Sequence, residues 1–255
     1  MSYYTLQTIT QVHHWDDRLF SFRCTRDAGL RFENGQFVLI GLMQNDRPLL
    51  RAYSFVSADH EPDLEFLSIK VPDGALTSQL VNIRPGDSLV VAKAAKGSLV
   101  ISDLNPGKRL FLLATGTGLA PFISILRDDA VYRRFEQIVL VHSVRHVSEL
   151  AYRDELEAFA KRPGCFYYPT VTREPFVHQA RISTLIQSGQ LCRDLGVLPL
   201  DPMVDRVMIC GNPEMLAETR ALLKDVGFIE SSSKGQPGDL VIEHAFAQQK
   251  PRPTA

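Results

Sequence analysis

The 255 residues are enough for two cores of ordinary domain size, and 45% hydrophobic with 22% charged residues is a globular balance. Lys and Arg number 28 against 29 Asp and Glu, a formal charge of −1, without the basic excess of a dedicated nucleic-acid binder. No apolar stretch approaches the ~20 residues that span a bilayer, the N-terminus lacks the basic and apolar regions of a signal peptide, and Cys24, Cys165, Cys192 and Cys210 have no zinc or iron–sulfur spacing. The expectations are a cytoplasmic location, reduced thiols, no metal and neither a nucleic-acid nor a membrane partner.

From Thr5 to Ala92 the pattern is of short β-type runs. Phe20-Ser21-Phe22-Arg23-Cys24 alternates, as a half-buried strand does. Phe37 to Leu42 is apolar on both faces, and Leu64 to Val71 mixes the two patterns. Asn34-Gly35, Asn45-Asp46 and Pro85-Gly86-Asp87 supply turns. Five or six strands with one short helix from Leu76 to Asn82 predict a small antiparallel barrel. Within it, Arg51-Ala52-Tyr53-Ser54 sets an arginine beside an aromatic and a hydroxyl. That combination suits a planar cofactor carrying phosphates: charge neutralisation, ring stacking and an edge hydrogen bond. Gly74-Ala75-Leu76-Thr77-Ser78 then offers a helix start for a diphosphate. The two pieces together read as a flavin site.

Asn105-Pro106-Gly107-Lys108 breaks local structure and reads as a linker, dividing the chain into 1–104 and 108–255. Beyond it come apolar β-type runs at Leu110–Ala114, Ile138–Val141, Phe166–Val171, Arg206–Cys210 and Leu240–Glu243. Helical segments intervene at Pro121–Phe135, Ser148–Lys161 and Pro213–Val226, the last with Asn212 as cap, Pro213 in the first turn and Gly227 at the end. This alternation predicts a doubly wound parallel sheet covered on both faces. Ligands of such sheets bind beyond the carboxyl ends of the strands. There the sequence places Thr115-Gly116-Thr117-Gly118, Arg145, Thr172-Arg173 and Gly211-Asn212-Pro213. The glycines of 116–118 permit close approach of a diphosphate, although Pro121 replaces the third glycine of the common dinucleotide fingerprint. No acidic residue stands where an NAD ribose would be held. Arg145, Arg173 and Arg181 match a 2′-phosphate instead, which favours NADP over NAD. Cys210, followed by Gly211-Asn212-Pro213, is a candidate nicotinamide contact; on its own it would be a small core residue. His13, His14, His142, His146 and His178 lack metal-ligand spacing and read as structural or exposed.

Arg51-Ala52-Tyr53-Ser54, Ser68-Ile69-Lys70-Val71-Pro72-Asp73-Gly74, Leu76-Thr77-Ser78, Gly116 to Phe122 and Cys210-Gly211-Asn212-Pro213 resemble the motifs of bacterial ferredoxin–NADP(H) reductases, over a span from Gln11 to Phe246. The resemblance implies two domains, an antiparallel FAD-binding β-barrel followed by an NADP-binding α/β domain. It implies that Arg51, Ala52, Tyr53 and Ser54 contact the flavin and its phosphates and that Ser68, Ile69, Lys70 and Val71 line its other side. Gly74, Ala75, Leu76 and Thr77 would hold the diphosphate, and Thr117 would approach the ring. Thr115 and Gly116 would face NADP, Arg145, Arg173 and Arg181 would bind its 2′-phosphate beside Thr172, and Cys210 with Gly211 would lie near the hydride-transfer position. Glu243-His244-Ala245-Phe246-Ala247 resembles the bacterial subtype with an alanine over the flavin and a phenylalanine near the adenine. Gln248 to Ala255 would be a frayed tail or a flap that slows nicotinamide entry.

The implied chemistry is hydride transfer from NADPH to FAD and one-electron transfer onward to ferredoxin or flavodoxin, in a monomer. Ser54 and Cys210 would be the catalytic residues, positioning the reacting rings. Arg47, Lys93 and Lys96 could attract an acidic carrier. The alternatives are an NADPH-dependent reductase component of an oxygenase system, a free-flavin reductase, and a redox sensor that binds NADP without turnover.

Overall fold

The computed structural model describes residues 3–71 and 74–245; Phe246, expected near the adenine, and the 248–255 tail lie outside them. Six antiparallel strands come first: β1 (Tyr4–His14), β2 (Leu19–Cys24), β3 (Phe37–Gln44), β4 (Arg47–Ser54), β5 (Leu64–Ile69) and β6 (Ser88–Ala92), with helix α1 (Thr77–Leu80) between the last two. Their order is β4-β3-β6-β1-β2-β5. The two outer strands meet just past β4, where Phe55 bridges Phe66 and Val56 N–H donates to Glu65 O at 2.9 Å. The sheet therefore closes as a barrel, as the turn spacing predicts.

The barrel strand β2 is not half-exposed. Phe20, Phe22 and Cys24 fill the barrel core, while Leu19 on the opposite face joins a second core shared with the rest of the chain. β5 repeats this: Leu64 and Phe66 point inward, Leu67 outward into the second core. Alternation in sequence marks two faces; here both are covered, because the second module packs on the β2–β5 wall.

That module is a five-stranded parallel sheet of order β11-β10-β7-β8-β9. Its elements are β7 (Arg109–Thr115), α2 (Ala120–Leu126), α3 (Asp129–Arg134), β8 (Gln137–Val144), α4 (Arg153–Phe159), β9 (Cys165–Val171), α5 (Ile182–Gln187), α6 (Gln190–Leu195), β10 (Asp205–Gly211), α7 (Pro213–Val226) and β11 (Leu240–His244). The order reverses between β7 and β10, the switch point at which such sheets bind ligands. The predicted helix at 121–135 is two helices, because Asp128 is extended and its carboxylate accepts the Ala130 N–H, starting α3 afresh. The helix predicted from Ser148 begins only at Arg153, since 147–149 form a 3₁₀ turn and Tyr152 is left-handed at φ 57°. α5 and α6, which sequence patterning does not reveal, are separated by the left-handed Gly189. α7 has the predicted ends: the Asn212 side chain caps Met215 N–H, and Gly227 closes it at φ 107°.

Residues 105–108 do not form a slack connection. The Arg206 guanidinium donates to the carbonyls of Asn105 and Pro106 and pairs with Asp239, and Asn105 N–H donates to Gly238 O at 2.8 Å. A side chain at Gly107 would meet the Arg206 stem at 2.7 Å.

Candidate active site

A cavity of about 710 Å³ opens beyond the carboxyl ends of the parallel strands, with Arg18, Leu19, Ile69 and Val71 of the barrel forming its other wall. It gathers, from the residues expected in sequence, Ile69, Val71, Thr115, Gly116, Thr117, Arg145, Thr172, Arg173 and Arg181. Residues from both modules thus face one space.

The floor of that space is a pair of interlocked strand ends. Thr115 Oγ1 accepts the Asn212 N–H at 2.9 Å, and a Cβ on Gly211 would fall 2.0 Å from that oxygen. A Cβ on Gly118 would fall 2.3 Å from Cys210 O. Gly116 differs from both: at φ +53° it needs a glycine's backbone freedom, and a Cβ there would meet nothing within 4 Å. Its outer side is open for a ligand to approach the chain. Below the turn, His142 on β8 is fully buried, with Nε2 3.2 Å from Gly116 O and Nδ1 without a partner among the described residues. Burial pushes its pKa down to about 4, so the ring is neutral near neutral pH and donates its Nε2–H to that carbonyl. The sequence shows only a histidine in an apolar strand; nothing in it reports the carbonyl above.

Two of the three expected arginines, Arg145 and Arg181, already carry carboxylate partners. Arg145 donates to the Glu149 carboxylate four residues on, at 2.6 Å. Burial alone would raise the pKa of Glu149, but the hydrogen bonds from the Arg145 side chain and backbone hold it below the usual carboxylate range. Arg181 contacts Glu214 at 2.9 Å and Glu218 at 3.4 Å. Arg173 forms no ion pair among the described residues. Thr172 turns its hydroxyl to Val144 O at 3.1 Å.

The other expected group lies along the barrel's closing edges. Tyr53 Oη and Ser68 Oγ are hydrogen-bonded at 3.0 Å across β4 and β5, and burial raises the phenol's pKa. Ser54 ends β4 opposite Phe37, Ala52 and Lys70 are exposed, and Arg51, half-buried, donates to its neighbour Leu50 O and meets no carboxylate among the described residues. Gly74 begins the turn into α1; a Cβ on it would meet Thr77 Oγ1 at 2.3 Å. That hydroxyl is drawn to the Val71 backbone, leaving Ala75 exposed and Leu76 in the barrel core.

Cys210 and Gly211, at the end of β10, are buried. Burial pushes the Cys210 thiol well above its ordinary value, and the neighbouring Glu243 charge adds to the shift, so the sulfur is an uncharged thiol. Glu243, paired in register with Cys210, is pushed up to about 8 by burial. Its carboxylate packs toward the barrel, 2.7 Å from where a Gly97 Cβ would stand. Ala245 N–H donates to Gly211 O at 3.2 Å, which holds the chain end against the switch point. Sequence reasoning gave no role to Arg18, Glu149, Glu214, Glu218 or Glu243, and read His142 only as structural or exposed. Only the four-residue spacing of Arg145 and Glu149 was a usable sign. No cluster of metal-binding side chains occurs among the described residues, and none of their helices is long and apolar enough to cross a membrane.

Comparison with known proteins places this geometry. Residues 4–101 match the oxidoreductase FAD-binding domain family and residues 112–221 the oxidoreductase NAD-binding domain family. A ferredoxin–NADP reductase of Pseudomonas aeruginosa is 51% identical, over 98% of this chain and 100% of the relative. A ferredoxin–NADP reductase of Azotobacter vinelandii is 50% identical with the same coverage. Among solved structures, a Neisseria gonorrhoeae ferredoxin NADP+ reductase with bound FAD and NADP superimposes with a TM-score of 0.91 at 32% identity, over 96% of this chain and 100% of the other. With both family domains in order and half the residues identical over nearly the full length, the chain belongs to the ferredoxin–NADP reductase family.

Proposed function

We propose that the cavity and the adjoining β4–β5 edge hold NADP(H) and FAD side by side, with ferredoxin or flavodoxin as the carrier served. The enzyme is a flavoprotein oxidoreductase that exchanges electrons between NADP(H) and the carrier. FAD, when bound, accepts two electrons together as hydride and releases them singly.

The residues fit both groups. Arg51 has no carboxylate among the described residues to compensate its charge, and Tyr53 offers a ring fixed through Ser68. The glycine turn at 74–77 brings backbone close to a phosphate; a side chain at Gly74 would close it. Ser68, Ile69, Lys70 and Val71 form the facing side. On the nucleotide side, the open flank of Gly116 admits a diphosphate, and Arg145, Arg173 and Arg181 take the 2′-phosphate beside Thr172. Arg18 adds a cation from the barrel side of the same cavity. Ser54, Thr117 and Cys210 act by position and by excluding water; the uncharged Cys210 thiol is not a nucleophile. The modules divide at 1–104 and 108–255, and the protein acts as a cytoplasmic monomer.

The observation that carries this reading is that Ile69 and Val71 of the barrel share one cavity with Thr117 and the three arginines. The test is stopped-flow absorbance of the FAD-loaded protein mixed with NADPH or NADH, followed by ferredoxin or flavodoxin. Fast bleaching by NADPH alone and reoxidation by a carrier are expected. Equal rates with both nucleotides would remove the arginine argument, and bleaching without onward transfer would favour a free-flavin reductase.

A further inference from the structure

Four guanidinium groups line the cavity, those of Arg18, Arg145, Arg173 and Arg181, but so do three carboxylates, Glu149, Glu214 and Glu218. The carboxylates are not scattered. Glu214 and Glu218 are four residues apart on α7, hence on one helical face. Both reach Arg181, the residue that precedes α5, at 2.9 and 3.4 Å. Glu218 is further fixed by the Ser183 hydroxyl, which donates to it at 2.6 Å. Arg181 therefore has an anion in place before any phosphate arrives.

We propose that Glu214 and Glu218 are specificity-determining residues that set how tightly the 2′-phosphate of NADP(H) is held. Resting on the assignment of Arg181 to that phosphate, they occupy its guanidinium in the free enzyme and give it up when the nucleotide binds. The exchange is between anions of the same Arg181 donors. It requires no change of fold, because Arg181 is exposed and its side chain can swing between partners. The cost of breaking the pair subtracts from nucleotide affinity and shortens the stay of the oxidised product. The two carboxylates oppose only a ligand that needs Arg181, so they act on the 2′-phosphate and not on the shared AMP portion. The pair is exposed and salt-screened, so its influence is modest and falls as ionic strength rises.

The test is calorimetric titration of the FAD-loaded protein with 2′-phospho-AMP and with 5′-AMP at low and high salt, on wild type, Glu214→Gln, the double variant Glu214→Gln/Glu218→Gln, Arg181→Ala and a control, Asp225→Asn, on the same helix outside the cavity. Glutamine keeps the hydrogen-bonding shape and removes the charge. The double variant should bind 2′-phospho-AMP about two- to fivefold tighter at low salt, with a smaller gain at high salt and an intermediate gain for the single variant. Binding of 5′-AMP and the behaviour of Asp225→Asn should stay at wild-type values. Unchanged or weaker binding of 2′-phospho-AMP by the double variant overturns the proposal, and equal tightening of 5′-AMP overturns it in favour of a general field effect. Should Arg181→Ala bind 2′-phospho-AMP as wild type does, the assignment of Arg181 itself fails, and the proposal with it.

Discussion

The phenol of Tyr152, at the start of α4, donates to Glu65 on β5 of the barrel at 2.7 Å, joining the two modules through a buried hydrogen bond. The same carboxylate receives Arg127 at 2.8 Å and Arg23 at 3.3 Å. Burial would raise the pKa of Glu65, but Arg127, Tyr152 and Arg23 together hold it below the usual range. The Tyr152 ring also packs on Trp15 at 4.7 Å between centroids. Tyr152→Phe keeps that ring contact and removes one hydrogen bond to a charged acceptor, so it should cost about 1–3 kcal/mol. Urea unfolding of the FAD-loaded protein measures it; an unchanged midpoint at equal slope would mean the bond contributes nothing net.

His142 makes a prediction about acid. Its pKa falls from 6.5 in the unfolded chain to about 4 in the fold, because burial disfavours the charged ring. A depressed histidine contributes stability that is full above 6.5 and lost as pH falls toward about 4. His142→Gln can still donate to Gly116 O but does not titrate. Its stability curve should be flatter than wild type across that window, by thermal unfolding at a series of pH values. Parallel curves would show that His142 titrates normally.

Glu243 predicts the opposite slope. Burial raises its pKa from 4.5 to about 8, so the folded protein keeps a proton that the unfolded chain has released. The associated stability is full below 4.5 and disappears as pH climbs through about 8. Glu243→Gln should therefore gain on wild type as pH rises and be the more stable protein at the alkaline end. Loss of stability by the variant at every pH would show a carboxylate that is satisfied when charged.

Arg173 is the cavity arginine of the expected trio without an ion pair among the described residues, so its removal uncovers no carboxylate. If it holds the 2′-phosphate, Arg173→Ala should lose a charge-assisted hydrogen bond of ~1.5–3 kcal/mol, about ten- to a hundredfold in KM for NADPH. The KM for NADH should barely move. Initial-rate kinetics with both nucleotides settle the point, and a parallel loss for NADH would place Arg173 at the common part of the ligand.

The two-module plan was legible because its punctuation is local. Asn212, Pro213 and Gly227 mark α7 with three residues that each do one job in the backbone. Gly118 marks the close approach to Cys210 O, and Gly116 the left-handed turn beside it. What was not legible depended on distant partners. Arg181 meets carboxylates 33 and 37 residues away, and their presence on the same wall follows only from α7 and α5 lying side by side. Asp128 divides a helix that looks continuous in sequence, since its carboxylate both caps Ala130 and accepts the Asn34 amide of the barrel. The buried second face of β2 was hidden for the same reason: an alternating strand cannot report what covers its other side.

The Arg206 clasp on residues 105 and 106 bears on how the enzyme could be taken apart. A tether bolted by a guanidinium from the fourth parallel strand offers a protease no loose backbone to thread. Cutting the gene at that point would strip the Asn105 and Pro106 carbonyls from Arg206 and leave this enclosed cation with Asp239 and the carbonyls of Pro202 and Asp205. Two independently expressed fragments would each expose an apolar wall meant for the other, so engineers seeking to exchange one half would do better to carry the clasp across intact.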